Sequence, residues 1–387
     1  MLRVRIIEAS VNRTWNDTNA NYIPDCDLRS PAANGECGPF DNLNFGQLNI
    51  TTRYADDVLR GFGARNSTWD VATEVNHQLR PGVSVTAGYY RNWASHFRVT
   101  DNLEVAPGDF TPFCITAPAD SRLPGAGGYQ VCGLYDVVPQ KFGRVNNLVT
   151  QASNYYGSSS KVNCGAQVTL AATGGALGGT GGTCGTSDFF GVNFNTRFGS
   201  GIRFGGGVDT GRTVTDACFV IDSPQQLLNC RTVTPFGAQT QVKLYGSYPL
   251  PGGVTLSGTF QNVPGPTIEA NYNATNAEIA PSLGRDLSAC RGAAVCTATA
   301  TVPLVAPMTL FEDRRTQLDL RLTKIFRVGT RARLQANFDV YNVLNASAVL
   351  GVNATYGRQW LLPVAATVGT EAILQGRLIQ FGGQLTF

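Results

Sequence analysis

The residues whose types could do chemistry sit in five places along the 387-residue chain. Ser158-Ser159-Ser160-Lys161 has the SxxK spacing of an acylating serine with its lysine partner, but no KTG follows and the surroundings are rich in Ser, Gly and Asn, so the stretch reads as a loop. No GxSxG, HExxH or phosphate-binding loop occurs, and the glycine run from Gly174 to Gly185 does not open a helix after an apolar strand. The histidines are His77 and His96 alone, and no CxxC is present, so zinc and thioredoxin-like chemistry fail on spacing. Nothing here reads as an enzyme.

Asp17, Asn19, Asn21, Asp25 and Asp27 place side-chain oxygens at alternating positions, as a calcium loop does. The turn position is Tyr22 rather than Gly, and Leu28 stands where a bidentate Glu belongs, so an Asx-rich surface turn is the other reading. A structural calcium ion is the one cofactor the sequence admits. Ten cysteines fall in sequence order as local pairs, Cys26 with Cys37, Cys114 with Cys132, Cys164 with Cys184, Cys218 with Cys230, and Cys290 with Cys296. Each pair lies in a turn-rich segment, which points to loop disulfides in an oxidising compartment. Trp93, Tyr155, Tyr156 and Trp360 fall near loop bases, where an aromatic ring either stacks on a substrate or belongs to a membrane-interface girdle.

The elements that must position these residues are strands. Glycine (44 residues), 10% aromatics and only 15% charge accompany few helix-favouring runs. Acids and bases nearly balance at a net +3 with no Lys/Arg block, which excludes a nucleic-acid footprint. No apolar stretch is long enough for a transmembrane helix, and a membrane barrel needs none.

Alternation supplies the pattern. Over Thr68 to Leu79 one face carries Trp69, Val71, Val75 and Leu79, and the other Asp70, Glu74, Asn76 and Gln78. After Pro81-Gly82, Val83, Val85, Ala87, Tyr89 and Trp93 alternate with Ser84, Thr86, Tyr90 and Asn92. The same hairpin grammar recurs from Val192 to Asp209, from Gln241 to Gln261 and from Gln317 to Val340. With an opening strand near Arg3 to Asn12 and a closing one near Ile373 to Phe387, about ten strands are expected, each near the length a tilted membrane strand requires. Long segments at 13–66, 97–186, 215–236, 262–312 and 344–371 separate the tight hairpins and read as extracellular loops. A soluble sandwich or propeller also alternates, but its inward faces would not carry amides and charge along their whole length. Glu74, Asn92, Asp209, Gln241, Lys243 and Asp319 are such positions, suited to a wet or plugged lumen.

The stretch Phe311-Glu312-Asp313-Arg314-Arg315-Thr316-Gln317-Leu318-Asp319-Leu320-Arg321-Leu322-Thr323-Lys324-Ile325-Phe326, with Asn337-Phe338-Asp339-Val340-Tyr341-Asn342-Val343-Leu344-Asn345, resembles the closing hairpin of TonB-dependent receptors. The terminal Ile379, Phe381, Leu385 and Phe387 resemble the last strand of outer-membrane barrels. Asn21 to Leu28 and Cys132 to Asp136 are similar to the subgroup carrying an N-terminal carboxypeptidase-regulatory-like domain. The resemblance implies an all-β, antiparallel transmembrane barrel portion, an open half of a barrel of about twenty-two strands. It further implies that residues 1–387 are the C-terminal part of such a receptor, with signal peptide, plug and energy-coupling box upstream. The expected location is the bacterial outer membrane. The implied function is TonB-driven uptake of a scarce substrate, an iron chelate, glycan or peptide, with outer-membrane lipid and the TonB complex as partners. An adhesion or scaffolding barrel that binds a partner through its loops is the alternative, and a passive porin is third.

Overall fold

A computed structural model describes residues 6–7, 10–43, 45, 48–49, 52–156, 185–329, 332–365 and 371–387. Nine strands follow one another as a single antiparallel meander: β1 (Ser67–Arg80), β2 (Val83–Ser95), β3 (Gly185–Arg197), β4 (Arg203–Asp216), β5 (Gln241–Leu250), β6 (Val254–Val263), β7 (Arg315–Val328), β8 (Ala332–Tyr341) and β9 (Leu378–Thr386). A short tenth strand, Arg231–Thr234, pairs with the loop end of β4. The sheet does not close, because β1 and β9 are its two ends and each has one paired neighbour.

Each tight turn has its own cause. Pro81-Gly82 turns β1 into β2 with Gly82 at φ +78°, a region that suits glycine. A Cβ there would lie 2.1 Å from the carbonyl oxygen of Arg197. That closeness lets the Arg197 N–H donate to the Gly82 carbonyl at 2.6 Å, tying the first hairpin to the second. The turns β3–β4, β5–β6 and β7–β8 lie at the same end of the sheet, and every long connection lies at the other.

Register fixes what each face presents. Trp69 opposes Trp93, Thr186 opposes Trp93 and Val214, Phe204 opposes Gly246, Gly246 opposes Gly258, Gly258 opposes Leu320, and Phe338 opposes Phe381. Residues of one parity therefore share one face across all nine strands. That face is apolar and exposed, with Val75 at 63%, Val192 at 53% and Phe381 at 79%.

The long connections are not irregular. They build a packed cap with its own core, in which Phe113, Ile115, Leu134, Ile279, Val302, Leu304 and Trp360 are buried together. Local sheets frame it: the hairpin Phe110–Thr116 with Gln130–Val137, the pair Asn271–Thr275 with Thr299–Pro303, and a three-stranded sheet of Thr52–Tyr54, Asn147–Gln151 and Arg98–Asn102. The helix Asn276–Leu283 begins at a capping box, where the Thr275 N–H and hydroxyl both donate to Glu278, and ends on Gly284 at φ +77°. Arg285 then locks the helix to the hairpin, donating to the Asp136 carboxylate at 2.5 Å and to the Val137 carbonyl at 3.0 Å. Disulfides Cys26–Cys37, Cys114–Cys132, Cys218–Cys230 and Cys290–Cys296 staple the cap; Cys164 and Cys184 lie outside the described residues.

Three expectations change. Of the segment 3–12, Ile6–Ile7 pairs with Leu48–Asn49 rather than with the meander, and Ser10 to Asn12 are not strand, so the edge of the sheet is Ser67–Arg80. Strand β3 starts at Gly185, inside the expected loop, because Asp188 interrupts the apolar alternation that marks the strand from Val192. The last strand spans Leu378–Thr386 rather than starting at Ile373, whose segment instead bridges Val349.

Arg285 is largely buried and serves several acceptors at once. Its replacement in Arg285→Met should cost the cap about 2 kcal/mol, which is roughly a thirtyfold rise in the rate of limited proteolysis under conditions where opening limits cleavage. Cleavage at the wild-type rate would show that the bond network is dispensable. Peptide mapping without reductant should recover Cys114 linked to Cys132 and Cys218 linked to Cys230, and free thiols at these four positions would contradict the staples.

Candidate functional site

The polar face of the sheet and the cap above it hold most of the candidate residues. Along the polar face, side chains bond across strands: Asn92 donates to Asp70, Tyr90 to Glu74, Thr86 to Asn76, and Tyr245 to Asn195. Farther along, Gln261 donates to Gln317 at 3.0 Å, and Gln317 donates to Asp319 at 3.0 Å. Asp319 also receives the Asn342 N–H at 2.7 Å, and Arg321 donates to Asp339 at 2.5 Å. Such a ladder satisfies polar groups sideways and leaves the face hydrophilic without demanding a packed partner. Gln241 is half-buried, whereas Asp209 and Lys243 are exposed on this face.

The cap holds the remaining candidates. Trp360 is 2% exposed, and its indole N–H donates to the Glu269 carbonyl at 2.7 Å. Arg122 lies 5.2 Å from its ring centroid and is itself bridged to Asp120 at 2.7 Å, while Tyr356 packs at 5.3 Å. The expectation that Trp360 stacks on a substrate gives way to a packing role, since no face of the ring is open. Tyr155 donates to Asp101 at 2.6 Å, and Tyr156 packs on Phe219 at 5.3 Å beside Phe97, Val99 and Ile221. Both join a second small core that clips the β2–β3 connection to the β4–β5 connection. Trp93 lies on the apolar face, stacked on Trp69 at 6.3 Å, and not on the polar surface.

That second core contains a feature the sequence did not disclose. Asp222 lies beside Asp101, and its carboxylate accepts the Asn102 N–H at 3.0 Å. Burial pushes the Asp222 carboxyl up to about 7; the Asn102 N–H opposes this, and the Asp101 carboxyl adds to it. The Asn102 N–H bond to Asp222 links two loops that 120 positions of sequence separate.

The calcium-like stretch is a network of Asx turns. Asp17 accepts the backbone N–H groups of Asn21 and Tyr22, at 3.2 and 2.9 Å. Asn19 Oδ1 accepts from Asn21 and Asn21 Oδ1 from Ile23, while both amide nitrogens point at Asp25. Asp27 accepts from Arg29. Donors, not oxygens, therefore face Asp25, and the five residues as placed do not form an oxygen cage. Among the described residues no group of three or more His, Cys, Asp or Glu gathers for a metal. The Ser158-to-Lys161 stretch lies outside the described residues.

No family model matches the chain, and no curated protein is significantly similar to it. Among solved structures it is similar to the outer membrane transporter YddB from Escherichia coli, at 10% identity and a TM-score of 0.35, over 83% of this chain and 32% of that one. The ferric-catecholate import receptor Fiu from E. coli K12 shows 9% identity and a TM-score of 0.24, over 83% and 44% of the two chains. A Pseudomonas aeruginosa FadL homologue shows 11% identity and a TM-score of 0.19, over 83% and 66%. The chain thus spans about a third of the first of these proteins and less than half of the second. The likeness is distant, and it lies with outer-membrane proteins.

Proposed function

We propose that this chain is part of an outer-membrane β-barrel receptor that takes up a solute. The observation that carries the reading is the two-faced sheet. A nine-strand surface exposes Val75, Val192, Phe204, Val208, Leu256, Leu322, Phe338 and Phe381 on one side, a continuous apolar face of the kind soluble proteins rarely leave to water. Its strands run from 9 to 14 residues, within reach of a tilted membrane crossing that needs roughly 9 to 11 residues.

In this reading the apolar face meets lipid, the polar ladder lines the lumen, and the stapled cap stands outside the cell, where disulfides persist. Substrate selection belongs to the cap, and no bond is made or broken. The free edges of β1 and β9 carry unpaired N–H and C=O groups that lipid cannot satisfy, so further strands complete the barrel. In this reading the TonB complex supplies the energy for uptake.

The faces can be tested by placing a charge on each. Val192→Arg, in mid-strand on the apolar face, should lower stability by about 2–4 kcal/mol and deplete the protein from outer-membrane fractions. Thr259→Arg, exposed on the polar face, should leave both unchanged. Equal tolerance of the two substitutions, or recovery of the wild type in the soluble periplasm, would refute the assignment.

A further inference from the structure

The apolar face carries charge in few places. Among the described strand residues, Arg80 and Lys324 mark its turn end, whereas Arg91, Asp188, Arg212 and the Asp216–Arg231 pair lie toward the loop end. Arg91, Asp188 and Arg212 stand opposite one another in register on β2, β3 and β4, so they form one row across three strands. Just below, on the turn side, Tyr89 packs on Phe190 at 5.0 Å; just above, Trp69 stacks on Trp93.

Within the row the partners are unequal. Asp188 accepts the Tyr89 hydroxyl at 2.6 Å and lies 3.5 Å from an Arg91 guanidinium nitrogen, and Arg91 also reaches over the Trp93 ring at 5.8 Å. Arg212 is exposed and has no partner among the described residues. One step nearer the loops, Thr186 on the same face is 6% exposed, with a buried hydroxyl that lacks any partner. Two guanidiniums against one carboxylate leave the row with one net positive charge.

We propose that this row holds the phosphate of an anionic lipid headgroup in the membrane leaflet on the loop side, with Arg91 and Arg212 as its ligands. The inference rests on the membrane reading given above. Guanidinium groups bind phosphate by paired, charge-assisted hydrogen bonds. Lipid is the source, because the row borders a continuous apolar surface of Phe190, Val192 and Val208: whatever covers both must carry an acyl tail beneath its anionic head. Aromatic rings on either side mark the depth at which headgroups lie, and Asp188 keeps Arg91 turned along the sheet rather than up into water.

The test uses the complete protein purified from outer membranes and reconstituted in bilayers of phosphatidylcholine with a minor share of lipid A, with native mass spectrometry counting the lipid A retained. Arg212→Gln, which removes a side chain without partners among the described residues, should lower retention about tenfold, as the loss of one charge-assisted contact implies. Arg91→Gln with Arg212→Gln should abolish it, and Lys324→Gln at the far rim should not change it. Heat-modifiable gel mobility reports that each variant is folded. Equal retention in folded wild type and Arg212→Gln overturns the lipid site alone, and displacement of lipid A by inorganic phosphate overturns its assignment to lipid. A wild-type protein that fails to enter bilayers overturns the membrane reading and this site together.

Discussion

The antiparallel hydrogen-bond ladder from Ser67–Arg80 to Leu378–Thr386 is the constraint on which the rest of the molecule depends. Side chains alternate with a period of two, so a slip of one residue anywhere would carry a whole strand's apolar set to the wrong face. The ladder holds register through all of its long pairings, with its irregularity confined to Gln78/Arg80 beside the first turn. Continuity of register turns nine local alternations into two continuous surfaces.

The cap uses different physics. Its connections have no ladder long enough to order them, so it relies on a buried core, local hairpins and covalent staples. Charged side chains knit its pieces through backbone carbonyls: Arg291 reaches the carbonyls of Phe40 and Asp41, and Arg122 those of Trp360 and Gly357. A guanidinium with five donors suits this work, since loop carbonyls otherwise go without partners. The outcome is one packed cap in place of a set of independent loops, and the cost of ordering it falls on folding.

The chain also shows how polar groups are distributed between two environments. Acids on the polar face pair with an amide and a tyrosine across strands, as at Asp70 and Glu74, and with an amide along one strand, as at Asp319, where water remains at hand. In the cap, burial and the neighbouring Asp101 carboxyl push the Asp222 carboxyl up, while the Asn102 N–H bonds it. On the apolar face neither solution is in use for Arg212, and that difference distinguishes its row from the other charges of the sheet.

Much of this was determined by the sequence alone. Strand alternation, turn chemistry at Pro81-Gly82 and Pro251-Gly252-Gly253, and the unequal connection lengths are local properties, and they specify the hairpins, the two faces and the end at which the loops gather. Cysteine order in the loops, similarly, anticipates local pairs. Only the tertiary structure decided which segments meet. Ile6–Ile7 carries the composition of a strand, but its partner is Leu48–Asn49, a matter of distant complementarity that no local pattern records. Trp360 sits in a segment that reads as an exposed loop, and it is buried because three connections converge on it. Asp101 with Asp222, and Arg91 with Asp188 and Arg212, are unremarkable one at a time; register and loop packing bring them together, and long-range pairing is the one quantity that residue types and spacings do not carry.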